Sequence, residues 1–288
     1  MRFCPEIASL ILLSAISGSV ADAQLIVAHR GASHDAPENT LAAFNLAWEQ
    51  GADGVEGDFY LTSDGKIICL HDKDTQRTAG VKHVVSETPL DVLRQLDVGC
   101  WKGEDFRGER MPTLEEVIAT IPKGKKFVIE LKTGPEIVTP LAAALKKSPL
   151  ERDQILIIAF NAETVAECKR QLPAVKVHWL VRYEQDKKTG EWTPTRETVQ
   201  TTLKRIKADG LGTQGNPEHV DEEFLKELCD AGLCEWHVWT LDDPSVARFY
   251  QKLGPFGITT NRPGWLREEL KKLATAAPDS AAAAAPAK

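Results

Sequence analysis

Between residues 25 and 274 the chain alternates short apolar runs with stretches of helical periodicity, and this alternation limits its possible folds more than any other feature. Strand-like runs lie at 25–29, 54–60, 67–71, 127–131, 155–160, 177–181, 210–213, 234–241 and 257–260. Helical patterns lie at 39–50, 113–120, 136–147, 162–171, 195–207, 222–231, 244–253 and 264–274. Strands that alternate with helices build a parallel sheet. Nine strands are one more than a closed (β/α)8 barrel takes. The link 61–66 is too short for a parallel crossover, which needs about a dozen residues, and its Asp64-Gly65 is a hairpin signal. The run at 67–71 therefore pairs antiparallel with 54–60 and leaves the barrel count. Eight parallel strands remain, the pattern of an α/β TIM barrel.

Segment 73–112 interrupts the alternation. It is polar, carries Gly80, Gly99, Gly103 and Gly108, and has one helical patch at 90–96. A stretch this long inside a compact domain is a functional insertion more often than a bare loop. It reads as a small subdomain inserted after the second barrel strand, about 61–112, covering one rim.

The two ends read differently from the middle. Arg2, an apolar stretch at 8–20 and the small-x-small triplet Ala21-Asp22-Ala23 fit a signal peptide over 1–23, cut before Gln24. That stretch is short for a spanning helix of about 20 residues, so no stable membrane insertion is expected after cleavage. Export follows, to the periplasm or the medium. The Ala/Pro-rich tail 275–288 has no packing face and reads as disordered. The barrel domain is then 24–274. Cys4 leaves with the leader, so the other five cysteines cannot all pair within the chain. Cys229 and Cys234 are close enough to invite a disulfide, which spacing alone does not prove. A net charge of -7 without a basic block argues against nucleic acid as a partner.

A TIM barrel keeps its chemistry at the C-terminal ends of its strands. The first strand ends in His29-Arg30-Gly31, the second carries Glu56 and Asp58, and the next parallel one ends in Glu130-Leu131-Lys132. Late strands bring Trp239-Thr240 and Thr259-Thr260-Asn261. Glu56 and Asp58 are two apart on a strand and project to the same face. Carboxylates side by side repel unless a cation or proton lies between them. With Glu130 they form an all-oxygen set, which suits Mg2+ or Ca2+ better than zinc. A turn near Ser63-Asp64 puts His71 roughly opposite Glu56, so His29 and His71 flank one pocket. One imidazole can take a proton from a nucleophile while the other gives one to a leaving oxygen. Arg30 and Lys132 suit a phosphate, or alternatively salt bridges to the same carboxylates. Pro37-Glu38-Asn39-Thr40 opens the first helix, with Asn39 or Thr40 as cap.

This ordered series resembles the glycerophosphodiester phosphodiesterase family. It runs His29-Arg30-Gly31, Pro37-Glu38-Asn39-Thr40, Glu56-x-Asp58, Leu61-Thr62-x-Asp64-Gly65, His71-Asp72, Glu130-Leu131-Lys132 and Val238-Trp239-Thr240. The resemblance implies metal-dependent hydrolysis of a small glycerophosphodiester to glycerol 3-phosphate and an alcohol. It implies a divalent ion, Mg2+ or Ca2+, on Glu56, Asp58 and Glu130. It implies His29 and His71 as the acid–base pair, Arg30 and Lys132 near the phosphate, and Trp239 as a wall beside the glycerol. Two positions depart from the family pattern. Gly57 replaces a bulky apolar residue and leaves room for close backbone approach or a bulge, and His34, after the first motif, is read as facing solvent. Three competing readings are a lysophospholipid- or sphingomyelin-cleaving relative, a non-catalytic phosphodiester-binding protein, and a glycosidase. The last fits poorly, because Glu56 and Asp58 share one strand instead of flanking a bond.

Overall fold

The computed structural model describes residues 24–275; the leader reading at 1–23 and the tail reading beyond Thr275 fall outside it. Eleven strands are present: β1 (Leu25–His29), β2 (Gly54–Leu61), β3 (Ile67–Cys69), β4 (Lys126–Leu131), β5 (Ile155–Ala159), β6 (Lys176–Val181), β7 (Glu184–Gln185), β8 (Trp192–Thr193), β9 (Gly210–Gln214), β10 (Trp236–Trp239) and β11 (Gly257–Thr260). Eight of them run parallel in the order β1-β11-β10-β9-β6-β5-β4-β2, and β1 also pairs with β2, which closes the barrel. As expected, β3 stands outside the ring, antiparallel to β2 with Phe59 opposite Cys69. The short β7–β8 hairpin was not expected. Its two-residue strands are too brief to leave a periodic signal.

Strand parity sorts the residues into two cores. Odd positions of β4, Phe127, Ile129 and Leu131, pack outward against the helices, while Val128 faces the barrel interior. The same alternation puts Ile157 outside and Leu156 and Ile158 inside on β5. Both faces are buried, which is why these strands read as near-continuous apolar runs. Where such a strand carries an acid or a histidine at an inward position, that group must lie inside the ring.

The insertion has its own core of Ile68, Leu70, Val85, Leu93, Val98 and Met111. Short helices Gln76–Ala79 and Leu90–Leu93 form within it, the second being the N-terminal part of the expected patch. The Asp64 carboxylate docks it to the hairpin turn by accepting from the Leu90 N–H at 3.1 Å. Gly57 makes no bulge, since β2 and β4 stay in register from Gly54–Lys126 to Phe59–Leu131. A Cβ there would stand 3.1 Å from both Phe44 and Cys69, so the missing side chain admits its neighbours. Cys229 and Cys234 are joined in a disulfide. Among the described residues, no helix is long and apolar enough to cross a membrane.

Because Leu93 is fully buried in a core of six residues, Leu93→Ala should cost about 2–5 kcal/mol of the insertion's local stability. Limited proteolysis should then cut within 73–112 before the barrel. Cleavage spread evenly over the chain would show that the insertion has no separate core.

Candidate active site

The inward residues at the upper ends of β1, β2 and β4 meet in one place. His29 pairs in register with Glu56, and Asp58 with Glu130. Glu56, Asp58 and Glu130 are 1%, 0% and 8% exposed, and each offers an oxygen within 4.8 Å of the other two. Burial, reinforced by Asp58 and Glu130, pushes the Glu56 carboxyl well above its ordinary range. Burial, then the Asp58 charge, lifts Glu130 to about 7. Burial also opposes ionisation of Asp58, but Arg30 and Lys132 outweigh it and hold that carboxyl below its usual value. Glu56 Oε1 is buried and has no hydrogen-bond partner among the described residues. Three buried acids with an orphaned oxygen form a donor set that fits a hard divalent cation.

The loop after β1 frames this cluster. Arg30 and Gly31 both adopt left-handed backbone, with φ of 57° and 79°. A Cβ on Gly31 would sit 2.5 Å from the Ala43 carbonyl carbon, so the turn accepts only glycine there. The turn aims the Arg30 N–H at Glu56 Oε2, 3.0 Å away. The Arg30 side chain lies 3.1 Å from Asp58 and 3.0 Å from Glu38. Lys132 is 2.7 Å from Glu130 and 3.4 Å from Asp58. Both cations thus make the salt bridges foreseen for them while also lining the cavity.

His29 and His71 line that same cavity, of about 280 Å³. His71 does not lie opposite Glu56. The observed pairing of Tyr60 with Ile68 extrapolates to Gly57, and β3 ends at Cys69, so the His71 backbone has left the ladder. Its Nδ1 donates to Asp72 Oδ1 at 2.7 Å, and Asp72 is gripped by Arg77 at 2.6 Å. His29 Nδ1 is 2.7 Å from Asn261 Oδ1. The amide orientation is settled by Asp242, which accepts from Asn261 Nδ2 at 2.6 Å and from the Asn261 N–H at 2.9 Å. Oδ1 therefore faces His29 as an acceptor, His29 Nδ1 carries the proton, and Nε2 keeps a lone pair. Burial and the adjacent Arg30 lower the His29 pKa to about 4, so the ring is neutral near pH 7. Trp239 forms a further wall, edge-on to Phe160 at 5.5 Å.

The sequence profile of the glycerophosphoryl diester phosphodiesterase family matches residues 29–265. The chain belongs to that family. It is thereby an enzyme of the phosphoric diester hydrolase class. A Bacillus subtilis protein, whose name assigns it provisionally to the glycerophosphodiester phosphodiesterases, is 47% identical over 256 residues, covering 85% of this chain and 98% of that protein. A Caldanaerobacter subterraneus glycerophosphodiester phosphodiesterase is 40% identical over 161 residues, 54% of this chain and 66% of that protein's length. The solved structure of an Oleispira antarctica phosphodiesterase in complex with the product sn-glycerol-3-phosphate is 28% identical, with a TM-score of 0.74 over 86% of this chain and 96% of that one.

Within this family member, several supporting residues escaped the sequence reading. The sequence offers Asn39 or Thr40 as the helix cap, and Thr40 takes that role by accepting from the Ala43 N–H. The Asn39 side chain instead holds Asp58, donating to Oδ2 at 2.8 Å and accepting from the Asp58 N–H at 3.2 Å. Glu38, from the same motif, binds Arg30 and Arg77 and so ties the insertion to the barrel. Phe160 and Arg182 also line the cavity. They stand just past the ends of β5 and β6, where the strand-end rule could have found them. His34 is 51% exposed and bonded to Asp35, as a solvent-facing residue should be.

If Asn261 sets the His29 tautomer, Asn261→Leu should lower kcat roughly ten- to hundredfold with little change in KM, and Asn261→Asp should recover part of the loss. Steady-state kinetics on any cleaved diester would check this. An unchanged kcat would remove Asn261 from the site.

Proposed function

We propose that the protein hydrolyses glycerophosphodiesters to glycerol 3-phosphate and an alcohol, with a divalent ion held by Glu56, Asp58 and Glu130. The observation that carries this reading is the cluster of three buried acids within 4.8 Å, set in one cavity with His29 and His71. The named relatives support the substrate class, as does the product in the Oleispira antarctica structure. The acids being all-oxygen donors, Mg2+ and Ca2+ are the candidate ions.

When bound, the ion supplies positive charge against the phosphate oxygens. Arg30 and Lys132 add to that charge and hold the ligand carboxylates in place. His29, with Nδ1 committed to Asn261, offers the Nε2 lone pair to the nucleophile, a water or the glycerol 2-hydroxyl. His71, with Nδ1 committed to Asp72, delivers a proton from Nε2 to the departing alcohol oxygen. As the P–O bond to the alcohol breaks, attack by water gives glycerol 3-phosphate directly, whereas attack by the 2-hydroxyl gives a cyclic phosphate that a water then opens, with the two imidazoles exchanging the roles of donor and acceptor. Trp239 packs beside the glycerol carbons. Export is part of the same proposal. The leader-like segment 1–23 supports it, as does the Cys229–Cys234 disulfide, a bond that persists in oxidising compartments.

Purified mature protein should release glycerol 3-phosphate from glycerophosphocholine with Mg2+ or Ca2+ and lose that activity in EDTA. His29→Ala and His71→Ala should each remove at least ~100-fold of the rate without unfolding the chain. Release that survives EDTA would overturn the role of the carboxylates, and near-normal rates in either histidine variant would overturn the acid–base assignment.

A further inference from the structure

The barrel interior holds two more imidazoles that the mechanism leaves unused. His178 on β6 and His237 on β10 are 0% and 3% exposed, and their rings stack at 5.1 Å. Between them runs β9, which has glycine at both facing inward positions. A Cβ on Gly210 would lie 2.7 Å from His178 Nε2, and one on Gly212 would lie 2.5 Å from His237 Cε1. The strand gives up two side chains to seat the two rings.

Their protons are ordered from below. Glu235 Oε2 is 2.6 Å from Lys176 Nζ, and Glu235 Oε1 is 3.1 Å from His178 Nε2. Bonding to His178 and Lys176 depresses the Glu235 pKa to about 2, so it is ionised and can only accept. His178 Nε2 therefore donates. His178 Nδ1 is 2.9 Å from His237 Nδ1. A single proton serves that contact, and the tautomer in which His237 Nδ1 donates it leaves His237 Nε2 a bare acceptor. Burial holds His237 well below the usual imidazole range, which keeps it neutral. Its Nε2 is buried without a partner among the described residues, and the ring lines the cavity shared by His29 and Trp239. A buried acceptor left unpaired is destabilising, and a ligand's O–H would relieve it.

We infer that His237 Nε2 is a specificity contact that accepts a hydrogen bond from a hydroxyl of the substrate's glycerol, with Glu235 and His178 as positioning residues that fix its tautomer. This rests on the glycerophosphodiester reading above. Phosphate oxygens and a choline group have no O–H to offer a bare acceptor; a free glycerol hydroxyl does. The contact would select for glycerol at one end of the diester irrespective of the alcohol at the other.

The test compares glycerophosphocholine with two analogues, one lacking the 2-hydroxyl and one lacking the terminal hydroxyl of glycerol. For at least one analogue, wild type should lose roughly ten- to hundredfold in kcat/KM, and in His237→Phe that ratio should fall toward one. A variant that discriminates as wild type does, or that loses equally on parent and analogue, would overturn the inference. Nitrogen NMR of the His237 ring in the wild-type protein reads the tautomer without any variant. The proton is expected on Nδ1, and a proton on Nε2 would overturn the inference. Glu235→Gln can donate to His178 and should shift protons toward Nε2; an unmoved tautomer would remove the positioning role. Absence of glycerol 3-phosphate from wild type would instead count against the proposed function, while the tautomer would still report on His237 alone.

Discussion

Three carboxyl groups crowded at the buried mouth of a barrel repel one another, and burial alone makes each costly to ionise. Most features around the mouth offset that cost. Arg30 and Lys132 stand against Asp58, the Arg30 N–H is turned onto Glu56, and Asn39 brackets Asp58 from both sides. The left-handed turn at Arg30-Gly31 makes the first two contacts possible together, because it points backbone and side chain at different acids. The offset is unequal. Asp58 is held ionised, while Glu56 and Glu130 are pushed toward the protonated form. A cluster so divided has room for one strong positive charge.

The same ion pairs carry the coupling between barrel and insertion. Arg30 bonds Glu38, Glu38 bonds Arg77, and Arg77 bonds Asp72, the partner of His71. The two histidines of the cavity thus belong to different packing units. His29 rides on the barrel, and His71 stands at the edge of a subdomain with its own core. Four charged groups in series keep them in one frame; the Arg30–Glu38 link is shielded from solvent, while the links through Arg77 lie at the surface, where such pairs count for less.

Much of this was legible from the amino acids because period and parity report directly on geometry. The alternation of runs exposed the barrel, and the six-residue link 61–66 identified β3 as a hairpin strand. The two-residue spacing of Glu56 and Asp58 revealed their common face. The rest depended on pairing and side-chain direction, which periodicity does not encode. His71 falls one residue off the expected register because composition does not locate the centre of a turn. Asn39 passed for a cap because its left-handed backbone, which swings the side chain away from the helix and onto Asp58, leaves no mark in sequence. His178 and His237 lie 59 residues apart. Only the barrel's closed order, with glycines on the strand between them, makes them neighbours.

Strand parity has a consequence for how the molecule can change. On each barrel strand, one set of positions packs under the helices and the alternate set faces the lumen. Shape and reactivity are therefore written on interleaved letters of the same words. A lineage could rewrite the lumen letters near the strand ends, one per strand, and keep the outer shell untouched. Two inward sites on β9, Gly210 and Gly212, are glycine, so they are where a new lumen group would displace the most: filling either would crowd out an imidazole.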